Sequence, residues 1–465
     1  MYIHFTCLQK SVYTSTQERR MPNPTKKKPK NAKIAGEETD SKLISIRMPA
    51  GMIQKLRGVA GKKGDMGYQQ LIKSYIKQGL TEDSGQPAEI PGPAGAAPLS
   101  KSKSAKPSGK RANAAALADS EVIREDIRSI AAHLKPYYSF FSGKTFLITG
   151  AYGFLGRYMV HLLKYLNEEV LDKKVRALLL DNFVTGYEQR VISDRNLVFH
   201  RHNVINPFST NEEVDYIIHA AGIASPAYYT KYPIETMDVG TVGTRHMLEL
   251  AYKKNVSGFL FTSSSEVYGD PDPKHVPTNE EYYGNVSITG PRSCYDESKR
   301  FGETMCLAFW RTFNVPVKIV RPFNVYGPGI RPDDYRVLPN FIEHALRKEP
   351  LPIHGDGRNT RSFCYISDAI EAIFRVLFAK ESGEYFNIGN PAPEISVRDL
   401  AYVVRDALPY KVDVVNIDPP HAVYASSDPK RRCPDISKLQ KITGFKPKVS
   451  LEEGVRRTIR WFSEL

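Results

Sequence analysis

The chain has 465 residues, 41% of them hydrophobic, and a net charge of +14, which suits two or three domains with a sizeable core. No apolar run approaches the ~18 residues of a membrane span, and the polar stretch from Met1 to Arg20 has no apolar core of a secretory signal. The five cysteines (7, 294, 306, 364 and 433) are scattered without a CxxC, so neither a disulfide framework nor a metal site is indicated and a reducing cytoplasm is the expected location.

Charge is segregated along the chain. Residues 1–118 hold 21 Lys and Arg against 8 Asp and Glu, whereas the remainder holds 44 against 43. The basic character therefore belongs to an N-terminal extension, and the rest lacks the charge of a nucleic-acid binder. Residues 1–41 are polar and lysine-rich (KKKPKNAK, 26–33), which predicts a disordered basic tail. Met21, followed by that lysine-rich run, is an alternative start.

Residues 42–80 read differently. Ile44, Ile46 and Met48 alternate with Ser45 and Arg47, a strand pattern. Ile53, Leu56 and Val59 or Ala60 then fall on one helical face. GKKGD (61–65) makes a turn, and Tyr68, Leu71, Ile72, Tyr75 and Ile76 mark a second helix. One strand and two helices in this span resemble the ribbon-helix-helix fold of CopG-type repressors. That resemblance implies a strand ribbon between two chains, with Ser45 and Arg47 facing DNA. A plain amphipathic helical pair is the alternative. Residues 81–118 are rich in Pro, Ala, Gly, Ser and Lys and predict a flexible linker.

Residues 119–465 form the main domain. A short helix is expected over Glu121–Leu134. Strands are expected at Thr145–Thr149, Val175–Leu180, Leu197–His200, Tyr216–His219, Gly258–Thr262 and Val317–Val320. Helices lie between them, near 234–253 and after Tyr295. The alternation predicts an α/β fold, a Rossmann-type doubly wound parallel sheet. Beyond about 330 the pattern loosens, with helices near 339–347 and 366–379. That suits a smaller C-terminal substrate-binding lobe, drawn mainly from 330–465.

The first strand runs into Gly150-Ala-Tyr-Gly153-Phe154-Leu155-Gly156, then into a helix carrying Met159, Leu162, Leu163 and Leu166 on one face. Strand, glycine turn and helix in that order are a dinucleotide-binding fingerprint. Gly150 permits the tight turn, Gly153 admits a pyrophosphate, and Gly156 lets helix and strand pack closely. Phe154 and Leu155 open the helix and join the cofactor set. Asp181 ends the second strand, followed by Asn182. An acid there accepts hydrogen bonds from the adenosine ribose and repels a 2′-phosphate, so NAD is favoured over NADP. Tyr295 and Lys299 form a YxxxK pair on one helical face. The ammonium can lower the tyrosine pKa and hold the nicotinamide ribose, leaving a tyrosinate to take a proton from a sugar hydroxyl.

Residues from about 144 resemble the extended short-chain dehydrogenase/reductase family, the NAD-dependent epimerase/dehydratases acting on nucleotide sugars. The stretches that carry this include DNFVTG (181–186), SSSEVYGDP (263–271), GPRSCYDESKR (290–300), RPFNVYGP (321–328), NTRSF (359–363) and DPKRRCPDI (428–436). Within that family the resemblance is closest to the UDP-glucuronate decarboxylases (UDP-xylose synthases). It implies that Tyr295 and Lys299 are the oxidation pair and that Ser264 hydrogen-bonds the reacting oxygen. It also implies that Glu266 lies beside the sugar, Arg361 near the nucleotide sugar and Asn324 at the substrate diphosphate. The partners it implies are a UDP-linked sugar and a second copy of the chain. The reaction it implies is redox-neutral: oxidation at C4, loss of CO₂ from C5 and return of the hydride.

Three features depart from that pattern: Asn203 in place of an aspartate, Gly240 in place of an asparagine, and a short segment after Ala224-Ser-Pro226. The nearest alternatives are a 4,6-dehydratase or a 4-epimerase. Against the first, Ser265 stands where a dehydratase has an aspartate to protonate a departing hydroxyl; against the second, epimerases usually lack a glutamate at the position of Glu266. From another class, the chain could be a DNA-binding regulator that senses NAD or a sugar nucleotide. The intact Ser264, Tyr295 and Lys299 set weighs against a pure sensor.

Overall fold

A computed structural model gives the architecture. It describes Tyr2–Thr6 and Leu43–Arg47, and residues 120–464 apart from 186–191, 193, 332–333, 335 and 419–428. The chain divides into two units, Met1–Lys106 and Pro107–Leu465. In the first, β1 (Tyr2–Thr6) runs antiparallel to β2 (Leu43–Arg47), with Tyr2 opposite Arg47. The strand expected from the alternation at Leu43 is present. Its partner lies in the stretch read as a tail, where Tyr-Ile-His-Phe-Thr is rich in residues that suit a pleated surface. A ribbon-helix-helix strand pairs with its copy on a second chain; here the pairing is within the chain. The two helices expected after it, and the linker, lie outside the described residues.

The second unit opens with α1 (Glu121–His133). The chain then alternates: β3 (Thr145–Thr149), α2 (Phe154–Tyr165), β4 (Arg176–Asp181), β5 (Leu197–Arg201) and β6 (Tyr216–His219). Short helices α3 (Pro226–Lys231) and α4 (Pro233–Asp238) follow. A π-helical turn (Val239–Gly243) joins α4 to α5 (Thr244–Lys254), so the expected helix is present with an over-wide turn in its middle. Next come β7 (Gly258–Thr262), α6 (Ser293–Phe313) and β8 (Val317–Pro322). Helix α6 begins two residues before Tyr295 rather than after it, with Arg292 at the N-cap position directly after Gly290-Pro291.

Beyond β8 the chain forms β9 (Val325–Tyr326), α7 (Val337–Leu346), β10 (Leu351–His354), β11 (Thr360–Arg361), β12 (Cys364–Tyr365) and α8 (Ile366–Leu377). It closes with β13 (Glu384–Ile388), β14 (Ile395–Ser396), α9 (Val397–Asp406), β15 (Val414–Ile417), β16 (Arg431–Arg432), α10 (Ser437–Thr443) and α11 (Leu451–Ser463).

Seven parallel strands form the main sheet, in the order β13-β8-β7-β6-β3-β4-β5. The inner strands β3, β4, β6 and β7 are buried on both faces, so they read as nearly unbroken apolar runs. Phe146 and Ile148 pack toward α1, α2 and α8 in one core, while Leu147 joins Met247 of α5 and Cys306 of α6 in the other. From β3 the chain builds outward to β4 and β5 on one side and returns through β6, β7 and β8 on the other. The crevice beyond the carboxyl ends of β3 and β6 is thus the switch point at which such sheets bind ligands.

The segment from 330 does not all go to a separate lobe. Helix α8 packs on the sheet, and β13 becomes its edge strand beside β8. The remaining pieces are small: β10 with β15, β11 between β14 and β16, and β9 with β12. Helix α1 is tied to the body through Asp126, which is fully buried. Asp126 accepts hydrogen bonds from the Tyr158 hydroxyl at 2.9 Å and the Tyr365 hydroxyl at 2.8 Å, and pairs with Arg457 at 3.0 Å. Burial pushes its carboxyl up to about 6 against the pull of these partners.

Candidate active site

Two glycines shape the cradle at the end of β3. Gly150 adopts φ +64°, and a Cβ there would stand 2.8 Å from the Ala220 carbonyl oxygen. A Cβ on Gly156 would lie 2.1 Å from the Gly150 oxygen, so α2 begins directly against the turn. Gly153 precedes α2 with no side-chain cap, and Phe154, Leu155 and Gly156 form its first turn, where backbone N–H groups lack intrahelical acceptors. This hollow with amide donors at a helix start fits a pyrophosphate.

Asp181 is buried at the end of β4. Its Oδ2 accepts the Tyr152 amide and its Oδ1 the Phe183 amide, each at 2.8 Å. Burial raises its pKa, and these amides pull it back. Asn182 accepts the Val184 amide at 3.2 Å. Neither Asp181 nor Asn182 lines the main cavity, whose wall at this end carries Tyr152, Arg157 and Thr185.

That cavity, about 770 Å³, gathers the other expected residues: Gly150, Gly153, Phe154, Leu155 and Gly156 with Ser264, Glu266, Tyr295, Lys299, Asn324 and Arg361. Tyr295 is buried in the first turn of α6. Burial pushes its hydroxyl up to about 12, and a hydrogen bond with Ser264 pulls it back. Tyr229 stacks on its ring with centroids 5.4 Å apart and planes 12° from parallel. Lys299 donates from Nζ to the Thr262 carbonyl at 2.7 Å and stands 5.9 Å from the Tyr295 ring centre. Burial pulls Lys299 down to about 8. Gly222 leaves room for it, since a Cβ there would meet Nζ at 3.2 Å.

Glu266 sits in a 3₁₀ turn after β7, between two guanidiniums. Arg432 grips it through both terminal nitrogens, with Nη2 at 2.8 Å, and Arg292 pairs with it from the start of α6. Burial opposes the charge, yet Arg432 and Arg292 outweigh it and hold the carboxyl down at about 2. Nearby Asp296 moves the other way, to about 7, through burial and the Glu266 charge. Arg361 on β11 donates to the Thr360 carbonyl at 2.8 Å, and Asn324 to the Ser362 carbonyl at 2.8 Å.

Sequence reasoning passed over Arg292, Arg432, Tyr229 and Arg157. Arg292 stood three residues before Tyr295 in a stretch already singled out. Arg432 lies 166 residues from Glu266, and no local spacing marks that pair. Of the departures noted above, Gly240 has a steric reason: a Cβ there would lie 2.8 Å from Ser298 on α6, so an asparagine has no room. Asn203 accepts the Ile205 amide at 3.3 Å and does not line the cavity. Among the described residues no group of His, Cys, Asp and Glu could hold a metal ion, and no helix is long and apolar enough to cross a membrane.

A doubly wound parallel sheet, with a glycine cradle at its switch point and a Ser–Tyr–Lys set across the same cavity, defines a dinucleotide-dependent enzyme of the short-chain dehydrogenase/reductase type. The family model described as "NAD dependent epimerase/dehydratase family" matches residues 146–389. The chain is 40% identical over 325 residues to UDP-glucuronic acid decarboxylase 2 of Arabidopsis thaliana, covering 69% of each. It is 37% identical over 350 residues to UDP-glucuronic acid decarboxylase 1 of Danio rerio, covering 73% of this chain and 79% of that one. The solved UDP-glucuronic acid 4-epimerase of Bacillus cereus, in complex with UDP-glucuronic acid and NAD, matches with a TM-score of 0.56 at 26% identity. That match covers 69% of this chain and 99% of the other. The chain belongs to the NAD-dependent epimerase/dehydratase family.

Proposed function

We propose that this enzyme converts UDP-glucuronate to UDP-xylose and CO₂, with NAD as its retained cofactor. The carrying observation is Glu266, fixed as a carboxylate by Arg292 and Arg432 in the cavity that holds Ser264, Tyr295 and Lys299. Gly150–Gly156 would hold the cofactor's pyrophosphate, and Asp181 and Asn182 would serve its adenosine side. When bound, NAD supplies the hydride acceptor at C4 and later the hydride donor. Tyr295 takes the proton of the C4 hydroxyl while Ser264, hydrogen-bonded to the Tyr295 hydroxyl, holds that oxygen. Lys299 holds the nicotinamide ribose, and the expectation that its charge lowers the tyrosine pKa is not met, because Nζ stands 5.9 Å from the ring centre and burial dominates. The C4 ketone makes the C5 carboxylate a β-keto acid, whose C–C bond breaks to release CO₂ and leave an enolate. A proton from water at C5, the hydride returned to C4 and the Tyr295 proton given back to the C4 oxygen complete the pentose.

Glu266 is too acidic to donate that C5 proton at neutral pH; it orients a sugar hydroxyl or a water instead. Arg361 and Asn324 face the nucleotide part of the substrate. Ser265 offers no acid for expelling a C6 hydroxyl, which sets this reading above a 4,6-dehydratase; Glu266 sets it above a 4-epimerase. The test is mass spectrometry of sugar nucleotides after incubation with NAD. UDP-glucuronate should lose CO₂ with no net NADH. A change of configuration at unchanged mass would make the chain a 4-epimerase, and loss of water from UDP- or dTDP-glucose would make it a 4,6-dehydratase.

The enzyme works as a homodimer in this reading. Tyr252 on α5 and Phe301 and Phe313 on α6 are half exposed, and the Tyr252 and Phe313 rings lie 5.3 Å apart. Such apolar surface on neighbouring helices suits a self-complementary contact. The N-terminal segment would bind DNA through its basic charge. Full-length protein should then retard DNA fragments with an affinity that falls steeply with salt, and Arg47→Ala should weaken it. No retardation at low salt removes this role.

A further inference from the structure

His219 ends β6 and is fully buried, and the proposed chemistry does not use it. Its ring lies between two threonines that are also fully buried: Thr149 Oγ1 is 2.7 Å from Nδ1 and Thr244 Oγ1 is 3.2 Å from Nε2. The remaining contacts fix the protons. The Thr244 hydroxyl donates to the Gly240 carbonyl at 2.8 Å, so its oxygen accepts from His219 Nε2–H. Nδ1 then carries no proton and accepts the Thr149 hydroxyl, whose oxygen accepts the Ala221 amide at 3.1 Å. One directed chain therefore runs from the Ala221 amide through Thr149, His219 and Thr244 to the Gly240 carbonyl. Burial, with the Lys299 charge nearby, pulls the imidazole down to about 3, so it is neutral and keeps this one tautomer.

The two ends of the chain reach Lys299, one at its ammonium and one at its backbone neighbour. Ala221 precedes Gly222, where a Cβ would stand 3.2 Å from Lys299 Nζ. Gly240 lies in the π-helical turn before α5, where a Cβ would stand 2.8 Å from Ser298, the residue before Lys299. We propose that His219 is a positioning residue for the nicotinamide half of the cofactor site, clamping the Ala221–Gly222 loop and the Gly240 turn so that Lys299 is seated on the Thr262 carbonyl. The assignment rests on the glycine cradle being a dinucleotide site and on Lys299 meeting the ribose. A neutral imidazole presents an acceptor and a donor on one rigid ring, so a single side chain sets the distance between the two threonines. Fully satisfied, such a buried chain stiffens what it joins, because each bond polarises the next where the dielectric is low.

The experiment is a double-mutant cycle on NAD affinity, read by calorimetric titration of NAD into purified full-length protein without sugar nucleotide. The four proteins are wild type, H219L, K299M and the double variant. H219L should weaken NAD by about fivefold or more, and K299M by at least as much. On the K299M background H219L should cost less than about twofold, because the side chain it seats is gone. H219Q keeps an N–H donor toward Thr244 and should bind NAD more tightly than H219L. Equal losses from H219L on both backgrounds overturn the proposal, since a role in folding or in the glycine cradle alone gives additivity. Wild-type affinity in H219L overturns it too, as does an H219Q no better than H219L. If H219L does not fold by thermal melting, T244V, which removes the acceptor of Nε2–H, closes the same cycle with K299M. Absence of NAD binding by wild type overturns the dinucleotide reading as well. A wrong sugar substrate changes none of these outcomes.

Discussion

Glu266 and Tyr295 stand at opposite ends of the acidity range within one cavity, and each yields a prediction. Tyr295→Phe keeps the ring stacked on Tyr229 and removes the proton acceptor. Turnover should fall by about 10² to 10⁴ while the thermal midpoint and NAD affinity, read by calorimetry, stay near wild type. Glu266→Gln leaves Arg292 and Arg432 buried without their shared counter-charge, and denaturant unfolding should show a loss of about 3–5 kcal/mol. The sign with pH follows from a folded-state pKa of about 2 against the ordinary glutamate value of 4.5. The Glu266 contribution is fully present above the unfolded pKa and is lost as pH falls through the folded one. Wild type should therefore lose stability more steeply than Glu266→Gln between about pH 5 and pH 2. Tyr295 and Lys299 were legible in the sequence because a helix turns their spacing of four into adjacency. The Arg432 grip was not, because it joins a 3₁₀ turn to β16, 166 residues away, and only the closed fold brings them together.

Helix α2 and the glycine turn are the element most legible in the sequence. The strand, the three glycines and the apolar stripe set its position before any coordinates, since each is a local requirement. Gly156→Ala tests the tightest of them: a Cβ 2.1 Å from the Gly150 oxygen forces backbone apart. Titration should show NAD affinity reduced by at least about tenfold, with a lowered thermal midpoint. The outer helices pose a separate question, since exposure cannot be read from the period alone. Phe301→Glu with Phe313→Glu should convert a dimer to a monomer in sedimentation, with the fold intact by circular dichroism. A dimer that survives both changes would place the contact elsewhere.

Across the whole molecule, the sequence separated a basic extension from a nearly neutral α/β body, and the sheet order follows from the alternation of elements. It did not foresee that α8 and β13 return from the C-terminal part to complete the sheet. Loose patterning beyond 330 looked like a separate lobe because short strands carry weak periodicity. Removal of residues 1–118 should leave an active enzyme, whereas removal of 1–134 should abolish soluble expression. The longer cut strips Ile123, Ile127, Ile130 and Leu134 from the core and leaves Tyr158, Tyr365 and Arg457 without Asp126. Expression and thermal melting of the two truncations decide this. The start and finish of the enzyme body also meet: the Ser120 hydroxyl donates to Glu464 at 2.6 Å. Joined there by a few residues, the chain could be reopened at an exposed loop such as the one around Tyr283 and refold with the same sheet. Such a circular permutant would retain activity while exchanging which end of the enzyme carries a fused domain, so the catalytic body can be handled as a closed loop.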